Sequence, residues 1–114
     1  MTDRYVDALA ISLDDLPLDP DTVLAGTPAA AAVELGEIGD ALTGIEVGVW
    51  SLTEGTVTDT EVDEVFVVVA GRGSVTFEGG ERVALAPGVV VRLHAGERTT
   101  WTITETLRKV YLAP

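Results

Sequence analysis

From Gly44 onward, short β-branched segments recur between glycine or proline punctuation, and this pattern limits the fold more than any other feature of the chain. The segments are 45–52, 64–70, 74–78, 82–85, 89–93, 100–104 and 107–112, and a weaker one at 31–35 makes eight. Strands of this length at this spacing indicate an all-β sandwich or barrel. The punctuation has its own chemistry. Gly71-Arg72-Gly73 and Gly79-Gly80 offer the positive φ that hairpins require, and Ala86-Pro87-Gly88 reads as a turn with proline at its first corner. Short connections imply antiparallel neighbours.

Alternation assigns faces. Val75 and Phe77, Val83 and Leu85, and Trp101 and Ile103 point one way, while Ser74, Thr76 and Glu78, or Thr100, Thr102 and Thr104, point the other. The 64–70 segment is apolar on both parities, so both of its faces are expected to be covered. One cover is the second layer of the same chain, and the expected other is a partner subunit, which makes the chain a homodimer.

Residues 1–28 read as an N-terminal arm and 29–114 as the barrel domain. Prolines 17, 20 and 28 prevent a long helix in the arm. Leu9, Ile11 and Leu13 alternate with Ala10 and Ser12, which suits a short edge strand or an arm laid on the core.

Nineteen acidic residues against seven basic ones give a formal charge of −12, which repels phosphate backbones and anionic lipid surfaces. Neither nucleic acid nor a membrane is expected as a partner. The chain has no cysteine, which removes disulfides, thiolate metal sites and thiol nucleophiles. The first residues lack the basic and apolar regions of a signal peptide, and no apolar run approaches the ~20 residues of a membrane span. The expected location is cytoplasmic.

Candidate chemistry is sparse. Ser12, Ser51 and Ser74 lack a Gly-x-Ser-x-Gly context, and His94, the only histidine, belongs to no visible relay. Nucleotide-binding glycine fingerprints are absent. Asp59, Glu61, Asp63 and Glu64 crowd the approach to the 64–70 segment. Glu61 and Asp63 read as solvated loop carboxylates. Glu64 shares parity with Phe66, Val68 and Ala70, so inside a barrel it must be paired, hydrogen-bonded or protonated. Arg92 and Lys109 are the cations considered as its structural partners.

These residues carry a resemblance to the cupin superfamily from about Gly44 to Tyr111. Cupins are small jelly-roll β-barrels whose two motifs supply a His-x-His pair, a Glu and a third His to one metal. Glu64, followed by six residues and Gly71, fits the first motif. In the second, Gly88 and the next five residues lead to His94 at the proline position and Thr99 at the ligand histidine. The first histidine pair falls on Val57 and Asp59, or on Thr58 and Thr60. Glu64 alone keeps a ligand identity, so the resemblance implies the fold strongly and the metal weakly.

The details look most like the small single-domain branch of ureidoglycine aminohydrolase-like and ethanolamine-utilisation cupins. Gly48-Val49-Trp50, Asp63-Glu64-Val65-Phe66, Gly71-Arg72-Gly73, Pro87-Gly88 and Arg108-Lys109-Val110-Tyr111 carry that similarity.

The expectation is therefore a cupin-like jelly-roll barrel of about eight antiparallel strands with an N-terminal arm. It binds a small polar metabolite in the barrel through Glu64, Trp50, Thr99, Trp101, Lys109, Tyr111 and His94, with no cofactor and no metal. Two alternatives stand beside it: a divalent-metal enzyme built from Glu64, His94 and Asp59 or Asp63, and a non-catalytic dimerisation or sensing module. Whether the chain is an enzyme, and on what substrate, is not legible in the sequence.

Overall fold

A computed structural model describes residues 3–114. The strands are β1 (Asp14–Leu16), β2 (Val23–Gly26), β3 (Ala30–Glu34), β4 (Glu46–Leu52), β5 (Gly55–Thr60), β6 (Glu64–Phe77), β7 (Arg82–Leu85), β8 (Val90–Leu93) and β9 (Arg98–Ala113), with a one-turn helix α1 (Gly36–Gly39). All strand pairings are antiparallel.

Two long strands organise the sheet. The C-terminal half of β9 pairs with β4 on one side and with the first half of β6 on the other. Its N-terminal half pairs with β5 and with the second half of β6. The sheet therefore curls into two half-sheets. β1, β3, β4 and β8 extend the first, and β2, β5 and β7 extend the second. Leu52, Phe66, Val68, Val91, Leu93 and Leu107 from the first meet Val57, Val75, Trp101 and Ile103 from the second in one core. This is the expected jelly-roll barrel.

Three details differ from the sequence reading. Gly71-Arg72-Gly73 is not a hairpin turn, because β6 runs through it. Gly71 has φ +94°, and a Cβ there would collide with the β9 backbone at Thr106 and Leu107. The glycine permits a bulge at which the register shifts and β6 bends from one half-sheet to the other. The segments 100–104 and 107–112 are likewise one bent strand, β9. The stretch 55–60, absent from the expected strands, is β5; it places one apolar side chain, Val57, in the core among threonines.

The Ala86-Pro87-Gly88 turn forms as expected, closed by Val89 N–H donating to Ala86 O at 3.0 Å. Within the first 28 residues, β1 pairs with β3 and β2 with β5. The turn at 8–11 lies against β9, where Arg108 Nη1 donates to Ala8 O at 2.9 Å and Ile11 O at 3.0 Å. No helix of the described residues is long and apolar enough to cross a membrane.

Candidate functional site

Lys109 sits in the middle of the C-terminal half of β9, opposite Trp50 on β4 and Val68 on β6. Its parity points inward, and the residue is 5% exposed. An ammonium so placed needs partners, since desolvation without them is costly. Lys109 Nζ donates to Glu64 Oε2 at 2.7 Å; the lysine side chain is buried and the glutamate side chain partly so. The nitrogen also lies 4.3 Å from the ring centroid of Phe66, 4.6 Å from Trp50 and 5.0 Å from Trp101. These distances are within the range of cation–π attraction. The rings support one another, with Trp101 centred 5.7 Å from Trp50 and 5.6 Å from Phe66.

Trp101 joins this box to a second carboxylate. Its Nε1–H donates to Glu61 Oε2 at 3.1 Å and to Thr99 Oγ1 at 3.0 Å, while the Thr99 hydroxyl donates to Glu61 Oε2 at 2.6 Å. Glu61 is 8% exposed, which corrects its reading as a solvated loop carboxylate. The residues 61–63 are not in a strand, so alternation does not govern them. Glu61 is instead fixed by its backbone, its N–H donating to Glu97 O and its carbonyl accepting from Gly96 N–H, each at 2.8 Å.

Burial pushes the Glu61 carboxyl above its ordinary range. The Thr99 hydrogen bond opposes that shift, the Asp59 charge adds to it, and the Trp101 hydrogen bond and Lys109 charge counter it.

Tyr111 points inward two residues beyond Lys109, its ring against Gly48, where any side chain would collide with it. Its hydroxyl donates to Glu46 Oε2 at 2.7 Å. Burial first, then the hydrogen bond to Glu46 and the charges of Glu46, Glu34 and Glu64, push its ionisation upward, so it acts as a neutral donor.

Of the seven residues singled out in the sequence, Glu64, Lys109, Trp50 and Trp101 meet in one box, and Thr99 adjoins it through Trp101. Tyr111 shares the inner face but bonds to Glu46. His94 stands apart on the turn after β8, its Nδ1 3.2 Å from Glu97 Oε1 and its side chain 57% exposed. Sequence reasoning missed Glu61 and Phe66 as members of the interior network and Glu46 as the exposed partner of Tyr111. Phe66 alone carried a signal, its shared parity with Glu64.

The metal that the resemblance brings to mind does not fit these residues. Glu64 is held by an ammonium, and Thr99, at the ligand-histidine position, donates to Glu61. Asp63 Oδ1 accepts from Ala95 N–H and Asp59 Oδ1 from Thr60 N–H. Among the described residues no group of three or more His, Asp or Glu side chains is disposed to hold an ion.

A cavity of about 420 Å³ opens at the end of the barrel where β4 and β6 begin and β8 and β9 finish. Leu42, Ile45, Val65 and Leu112 give it apolar walls, and Asp63, Glu64 and Arg92 bring charge. Glu64 thus faces Lys109 on one side and this cavity on the other.

The fold places the chain among known proteins. It superposes on the Clostridium difficile EutQ protein with a TM-score of 0.63 at 17% identity, covering 75% of this chain and 62% of that one. A Pseudomonas syringae protein of unknown function gives a TM-score of 0.76 at 24% identity, covering 94% of this chain and 46% of that one. This chain therefore spans less than two thirds of either. A Rhizobium leguminosarum protein of unknown function is 30% identical with a TM-score of 0.58, covering 78% and 83% of the two chains. No curated protein matches. The EutQ-like cupin domain model matches residues 39–111, which include all of β6, β9 up to Tyr111 and every member of the lysine box, and the chain belongs to that cupin family.

Proposed function

We propose that this cupin binds a small polar metabolite at the Glu64 end of the barrel, without a metal. The observation that carries this reading is the convergence of Glu64, Asp63 and Arg92 on a cavity with apolar walls. Its volume, about 420 Å³, falls in the ~300–1,000 Å³ range of small-ligand sites. Glu64 Oε2 is committed to Lys109 and Asp63 Oδ1 to Ala95, which leaves the second oxygen of each for ligand donors. Arg92 makes no side-chain hydrogen bond among the described residues and would take a carboxylate or other acceptor. The matching ligand has an apolar body, a donor such as an amine, and an anionic or carbonyl group.

A thermal-shift screen of small amino- and carboxylate-bearing metabolites tests this. A compound that stabilises the wild type and loses most of its effect in Arg92→Ala, an exposed position, supports the reading. Compounds that act equally on both proteins, or a screen with no stabiliser, would remove it.

A second observation favours assembly. Val65, Val90 and Leu112 are 41%, 65% and 37% exposed and lie on one outer face, since Val65 pairs with Leu112 and Val67 with Val90. We read this face as the seat of a second copy, which would roof the cavity because Val65 and Leu112 belong to both. Light scattering checks it: a dimer that Val90→Glu splits is expected, and a monomeric wild type at micromolar concentration would end the proposal.

A further inference from the structure

We propose that the box formed by Glu64, Trp50, Phe66 and Trp101 is an alkylammonium-binding site whose occupant is the chain's own Lys109, a tethered cation. Lysine is rarely buried, and this is the only lysine in the chain. A tethered ammonium meets the two requirements of such a site at once. Its N–H donates to a carboxylate oxygen at 2.7 Å. Its remaining faces meet aromatic rings with centroids 4.3 to 5.0 Å away. Buried side-chain polar atoms of the described residues all have partners, and the partner of the ammonium is this one carboxylate oxygen.

The site selects by chemistry. A hard divalent ion asks for several oxygen ligands, and the box offers one carboxylate and three π-faces. A quaternary ammonium has no N–H to give Glu64. A primary ammonium on an apolar stem satisfies both kinds of wall. The inference does not depend on which metabolite enters the neighbouring cavity.

The test is replacement of the tethered cation by a free one. Lys109→Ala removes the atoms of n-propylammonium. The variant is expected to unfold at a lower temperature than wild type. At matched ionic strength, millimolar n-propylammonium should raise its midpoint in a dose-dependent way by roughly 4 °C or more. Wild type and Lys109→Ala/Glu64→Gln should not respond, tetramethylammonium should do less, and manganese should do nothing. Fluorescence of Trp50 and Trp101 should shift in parallel.

If Lys109→Ala does not fold alone, refolding from urea with and without n-propylammonium decides the matter, and only amine-dependent recovery supports the site. Equal responses of wild type and variant, no recovery with the amine, or a larger effect of manganese than of the amine would each overturn the proposal.

Discussion

Glu61 and Glu64 stand three positions apart in sequence, are both held inside the same barrel, and touch opposite ends of Trp101's environment, yet they are held in different ways. Glu64 faces a full positive charge at 2.7 Å. Glu61 faces only neutral donors, the Thr99 hydroxyl and the Trp101 indole. A carboxylate beside an ammonium has a Coulombic partner that offsets part of its desolvation cost. A carboxylate against neutral dipoles is repaid less and takes up a proton more readily, which is the direction found for Glu61. Trp101 serves both, its ring face toward Lys109 and its N–H toward Glu61. The comparison teaches that one tryptophan can separate a fixed charge pair from a protonatable group.

The largest effect expected from breaking this contrast is at the charge pair. Lys109→Met leaves the Glu64 carboxylate buried and uncompensated, and should cost ~3–5 kcal/mol in urea unfolding. The double variant Lys109→Met/Glu64→Leu should recover most of that loss, because an apolar pair of similar volume needs no compensation. A single-variant cost of ~1 kcal/mol or less would place the pair with solvent-screened surface bridges instead.

The neutral side should be softer. Trp101→Phe keeps a ring over Lys109 and removes the indole donor, so the bonds to Glu61 and Thr99 are lost; a loss of ~1–2 kcal/mol is expected in the same experiment. A loss as large as that of Lys109→Met would show that the two carboxylates are not insulated from each other.

The smallest effect is in pH. Because the folded-state pKa of Glu61 is raised above 4.5, its contribution is fully present below that value and declines as pH rises through the folded value. The wild-type midpoint should therefore fall relative to Glu61→Gln as pH is raised from 4.5 upward. A difference curve running the other way would mean that the folded protein favours the Glu61 carboxylate over its protonated form.

Much of this arrangement is visible in the chain before it folds. Strand parity puts Glu64, Phe66 and Val68 on one face of their strand and Lys109 and Tyr111 on one face of theirs, because alternation is a local property of extended backbone; the β6–β9 register makes these the same inner face. Glu61 was invisible for the same reason. β5 ends at Thr60 and β6 begins at Glu64, so parity breaks between them and a backbone link to Gly96 and Glu97 turns Glu61 inward. The bend at Gly71 was equally hidden, since a glycine between apolar runs serves a hairpin or a bulge alike until a partner strand passes close to it.

The sequence by itself determined an all-β barrel, its inward faces, an acidic surface and the survival of Glu64 without the histidines of its motif. Only the tertiary structure decided what Glu64 meets. Whether Lys109 lies beside Trp50, and whether its ammonium reaches Glu64 at the start of β6, depends on the β4–β9 and β6–β9 registers. Those registers are fixed by packing between segments distant in the chain, not by the preferences of either segment alone.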